Sequence, residues 1–73
     1  MSMNVNKLRA KIVEKGLSID IVAKEIGINR SSLYRKLNNA GETLTIKEAN
    51  AIVKVLNITA DEATDIFFGN TVA

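Results

Sequence analysis

Apolar residues recur along the chain in sets: Leu8 and Ile12, Val22 and Ile26, Leu33 and Leu37, then Ala49, Ile52, Val53 and Leu56, and last Ala63, Ile66 and Phe67. Within each set they step by mostly three or four residues, the interval at which side chains return to one face of an α-helix. Polar cap residues and glycines divide these sets into five predicted helices. The first runs from about Val5 to Lys15 and stops at Gly16, a residue suited to a left-handed turn. Ser18 caps the second, Ile19 to Ile26, which Gly27 ends; Asn29 caps the third, Arg30 to about Asn38. Residues Asn39 to Leu44 read as a loop, with Leu44 as a core plug. Thr45 with Glu48, and Thr59 with Glu62, have the spacing of capping boxes, opening helices that end near Leu56 and Phe68. The short connections leave no room for a long strand, so the expected fold is all-α: one compact five-helix domain over residues 1–73.

The stretch from Ser18 to Asn38 carries a more specific arrangement. Two short helices are joined by Gly27-Ile28-Asn29. Ala23 is the small residue that lets them cross closely, and Gly27 supplies the positive φ of a sharp turn. Ile28 and Leu33 anchor the second helix to the core and leave its other face outside. This is the layout of a helix-turn-helix.

Composition narrows the chemistry. The chain has 73 residues with no Cys and no His. The usual thiolate and imidazole ligands of zinc and iron–sulfur sites are therefore absent, as is any disulfide. Stability is left to an apolar core drawn from the 47% hydrophobic content. No apolar run approaches the roughly 18 residues of a membrane span, and the amino end lacks a signal-peptide pattern, so a cytoplasmic protein with no membrane partner is expected. No nucleophile–base pairing and no glycine-rich phosphate loop is present, so neither an enzyme, a cofactor, a metal nor a small-molecule ligand is expected. Net charge is only +2, but it is unevenly spread: residues 1–41 carry eight basic and three acidic side chains, residues 42–73 two basic and five acidic. A basic half beside an acidic half fits a surface that meets a polyanion with one side, and equally fits ordinary solubilising charge.

Gly16-Leu17-Ser18, Val22-Ala23, Ile26-Gly27-Ile28 and Arg30-Ser31-Ser32-Leu33, closed by Asn38, resemble the lambda-repressor/Cro-like (XRE) family of phage and bacterial regulators. The last two helices match that family in length and apolar pattern, so the resemblance covers nearly the whole chain. The Tyr34-Arg35-Lys36-Leu37 and Ile66-Phe67-Phe68 segments are similar to small regulators of phages of Gram-positive bacteria. Two departures stand out. The family usually has Gln at the start of the motif's first helix, where this chain has Ile19. The second core position of the recognition helix falls on Leu37, where the family often uses the position of Lys36.

The resemblance implies roles for particular side chains. Arg30, Ser31, Tyr34 and Arg35 would face base edges of double-stranded DNA, with each arginine able to give two hydrogen bonds to guanine O6 and N7. Ser18, Asn29, Lys36, Asn38 and Asn39 would hold phosphates, although Asn29 competes as a cap and Asn38 and Asn39 as helix terminators. Lys11, Lys15 and Lys24 read as plain surface charge. Ile19 and Ile21 are either exposed, as a partner surface, or packed on the first helix. Of Phe67 and Phe68, one is expected in the core and one shared with a second subunit; Phe68 and Val72 are the expected dimer contacts. The function implied is a sequence-specific transcriptional regulator, Cro- or repressor-like, acting by operator occupancy. It would act as a weak homodimer, strongest on a palindromic operator. Its rivals are an antitoxin or antirepressor that kept the fold without DNA binding, and the N-terminal piece of a longer regulator, against which the tail after Phe68 speaks.

Overall fold

Every helix opens on a polar side chain that accepts a hydrogen bond from an otherwise unpartnered backbone N–H of its first turn. The computed structural model describes residues 3–69, and the helices are α1 Val5–Glu14, α2 Ile19–Ile26, α3 Arg30–Asn38, α4 Ile46–Leu56 and α5 Ala60–Phe68. Ser18 accepts from the N–H of Ile21, and Asn29 from that of Ser31. Both capping boxes close, with Thr45 and Thr59 each exchanging two bonds with the glutamate three residues on. The cap of α1 is Asn4, which accepts from the N–H of Lys7 at 3.1 Å and which the apolar pattern alone did not single out. Helix α1 ends at Glu14, one residue before its expected end. No strand occurs among the described residues.

The ends of α2, α3 and α4 reuse one device. A residue in left-handed conformation follows the last turn, and the next N–H reaches back five residues to a free carbonyl. Gly27 (φ 81°) does this for α2, with Ile28 N–H donating to the Ala23 carbonyl at 3.0 Å. Asn57 (φ 53°) does it for α4. After α3 the left-handed position is taken by Ala40 (φ 56°), and Gly41 N–H donates to the Lys36 carbonyl at 2.9 Å. An alanine there carries steric strain that glycine would avoid.

Helix α2 is the centre of the packing, lying against both α3 and α4, while α1 packs on α5. The core holds the expected Leu8, Ile12, Val22, Ala23, Leu33, Leu37, Leu44, Ala49, Ile52, Leu56, Ile66 and Phe67. Ile26, Ile28, Val53 and Ala63, also expected there, are only half-buried and pack against its rim. Ile26 and Ile28 flank the turn, and Val53 lines an open groove between α4 and α5. Met3 and Ile58 join the core unannounced, and Ile19, left open between exposure and packing, is buried with them. Met3 is carried inward because the segment before α1 is tied down, Asn4 N–H donating to the Ile66 carbonyl at 2.8 Å. Ile19 and Ile21 part company, the first buried and the second 44% exposed, because two positions apart on a helix is a rotation of about 200°.

Candidate nucleic-acid interface

Helix α3 has two faces. Leu33 and Leu37, four residues apart, are buried and pin it to the core. Ser31 and Arg35 stand exposed on the other side, Arg30 is exposed at the first position of the helix and Tyr34 between the faces, and all four, with Asn38 and Asp20, line one shallow depression. The expected second core position is therefore occupied by Leu37, which turns Lys36 toward the flank of the helix. Nine residues of helix extend for about 13 Å, and a helix about 10–12 Å across with its side chains enters a major groove roughly 12 Å wide.

The flanking residues divide by what already occupies them. Ser18 and Asn29 spend their side-chain oxygens on capping, so Asn29 keeps its amide NH₂ as a donor for an incoming anion. The Asn38 side-chain oxygen accepts from Arg9 Nη2 at 3.3 Å, which brings a cation of α1 to the carboxyl end of the recognition helix. Asn39 is exposed in the turn after α3. Lys36 is turned away from this group: its ammonium donates to Glu48 Oε1 at 3.0 Å and to the Thr43 carbonyl at 3.2 Å. Glu48 uses the same oxygen to complete its capping box, accepting from Thr45 N–H at 2.9 Å. Burial pushes the Glu48 carboxyl up, but the Thr45 N–H and the Lys36 ammonium outweigh it and hold the group below the ordinary carboxylate range.

Charge around the depression is set by tertiary pairing. Lys7 meets Asp65, and Lys11 meets both Glu14 and Glu62, so much of the basic character of α1 is spent on its own helix and on α5. Arg30 pairs with Asp20 across the helix-turn-helix, Nη1 to Oδ2 at 3.0 Å. Arg35 forms no ion pair among the described residues and is the cation most open to a ligand there. Sequence reasoning had not singled out Arg9 or Asp20 for the site. Asp20 sits ten positions before Arg30, a spacing that says nothing until the angle between the two helices is known.

At the opposite end, Phe67 is buried and Phe68 is 50% exposed. Phe68 borders an apolar groove between α4 and α5 with Ile46, Val53 and Phe67. Val72 lies outside the described residues. No group of metal-ligating side chains is found among the described residues, and none of their helices is long and apolar enough to cross a membrane.

Residues 7–67, more than four-fifths of the chain, match the family model of the Cro/C1-type HTH DNA-binding domain. No curated protein and no solved structure matches the chain.

Proposed function

The chain belongs to the Cro/C1-type helix-turn-helix family of DNA-binding domains, and from that premise we propose that it is a sequence-specific regulator of transcription acting by operator occupancy. The observation that carries this is the division of α3: Leu33 and Leu37 hold the helix to the core while Arg30, Ser31, Tyr34 and Arg35 are exposed and line one depression. In this reading Arg30 and Arg35 read guanines, and Ser31 and Tyr34 contact the neighbouring base edges. Ser18, Asn29, Asn38 and Asn39 fix the register on phosphates, joined by Arg9. The N–H groups at the start of α2 replace the phosphate contact that a glutamine at Ile19 would supply.

Lys36, assigned to phosphate by resemblance, serves here as a strut that sets α3 against α4, supported by its bonds to Glu48 and Thr43. A single nine-residue helix covers few base pairs, so two subunits on a palindromic operator, with half-sites about 34 Å apart, supply the missing information. The weak dimer contact is the Phe68 side of the α4–α5 groove. A small phage- or mobile-element-borne repressor working in the cytoplasm fits this scheme.

Selection of bound sequences from random duplex DNA tests the proposal. A palindromic consensus is expected. Uniform recovery of all sequences would favour an interaction module of the antitoxin or antirepressor kind instead.

A further inference from the structure

Arg30 occupies the first position of α3, where the positive end of the helix dipole disfavours a cation and no acidic residue stands in the first turn. Its counter-charge comes from another element. Asp20, in the first turn of α2, accepts from Arg30 Nη1 at 3.0 Å. The side chains remain 68% and 48% exposed, so the pair contributes little to folding by itself. Asp20 nevertheless lines the same depression as Ser31, Tyr34, Arg35 and Asn38. A carboxylate on a surface meant for a polyanion is unfavourable unless it does something else there.

We propose that Asp20 is a specificity-determining positioning residue that acts through Arg30. The inference rests on the operator reading above. A guanidinium has five N–H donors in a planar fork, so one can stay on Asp20 while others meet guanine O6 and N7. Held in this way, Arg30 points into the groove and is less able to swing to a phosphate. On an unrelated sequence Arg30 gains most by moving to the DNA backbone, but that leaves the Asp20 carboxylate unpaired against the phosphates. The carboxylate thus weakens non-operator complexes more than the operator complex, and discrimination is a difference between the two.

The test uses the full chain and sequences enriched from random duplex DNA by the wild type. Arg30→Ala first identifies the base pair whose preference depends on Arg30. Asp20→Asn, which keeps size and polarity, is expected to lower preference at that same base pair by about fivefold or more, the range of one bidentate contact. It should also tighten binding to non-operator duplex while leaving the melting temperature within error. Asp20→Glu should restore part of the preference, and the Asp20→Asn/Arg30→Ala double variant should be no worse there than Arg30→Ala. If Asp20→Asn keeps the wild-type preference, or flattens a different base pair, the inference fails alone. If the wild type enriches no sequence, the operator reading fails and the inference with it.

Discussion

Lys11 and Glu62 are 51 residues apart in sequence, yet the Lys11 ammonium lies 2.7 Å from Glu62 Oε2. The contact joins α1 to α5 and uses the carboxylate that caps α5 through its other oxygen, which accepts from Thr59 N–H at 2.9 Å. One side chain therefore secures a helix start and a helix–helix seam.

This double use sets a pH dependence. The Lys11 ammonium, then the Thr59 N–H, hold the Glu62 carboxyl down to about 2, against an ordinary value of 4.5. Because the folded value is depressed, the unfolded chain binds the proton first as pH falls. The contribution is complete above about 4.5 and is lost as pH drops toward 2. The partner bonds of Lys11, to Glu14 first and Glu62 second, raise its ammonium, so that contribution fades only above its ordinary 10.5. Glu62→Gln keeps a capping acceptor but no charge. Its melting temperature should fall less steeply than the wild type's between pH 5 and 2, measured by circular dichroism. Parallel curves would show that Glu62 does not titrate in this way.

Leu33 is 1% exposed and fixes the recognition helix to the core. Leu33→Ala should cost about 2–5 kcal/mol, a large part of the stability of so small a domain. Urea unfolding measures it. A loss under about 1 kcal/mol would mean that α3 is not anchored there.

Ala40 is strained at φ 56°, directly after α3. Ala40→Gly should stabilise the domain by about 0.5–1 kcal/mol, since relief of the left-handed strain exceeds the added freedom of the unfolded chain. Thermal melts of the pair decide the matter, and a lower melting temperature for the glycine variant would contradict the backbone assignment.

Lys36 separates the strut from the phosphate contact. Lys36→Met retains the aliphatic stem and removes the bonds to Glu48 and Thr43. The expected loss is about 1 kcal/mol, or roughly 4–8 °C in melting temperature. The slope of log affinity against log salt should match that of the wild type. A slope smaller by about one would place Lys36 on a phosphate instead.

Phe68 borders the α4–α5 groove at 50% exposure. Phe68→Lys should reduce cooperativity on a two-half-site operator while the isolated domain melts as before, because the change lies outside the core. Analytical sedimentation of the free protein should show monomer or weak association. A tight dimer without DNA, unaffected by Phe68→Lys, would move the subunit contact elsewhere.

What the sequence determined was local. Ser18, Asn29, Thr45 and Thr59 act on N–H groups two or three residues away, and Gly27 acts on its own φ, so four helix starts and the sharp turn were legible from composition and spacing. Leu33 and Leu37 share a face by helical geometry alone, which turned Ser31 and Arg35 outward before any packing was known, while Arg30 and Tyr34 were implied only by the family resemblance. An exposed face of α3 followed from that spacing, whereas the roles of its residues came from the resemblance. What only the tertiary structure decided involves partners on different helices. Whether Ile19 faces the core depends on how α2 is rotated between α3 and α4. Whether Lys36 is open to phosphate depends on the place of Glu48. The basic and acidic halves partly cancel because α1 lies on α5, and Arg30 is held because α2 crosses α3 at an angle that brings Asp20 beside it. A spacing rule describes one helix at a time, whereas these contacts are set by helix-to-helix angles, which arise from the fit of buried side chains and are written in no single segment.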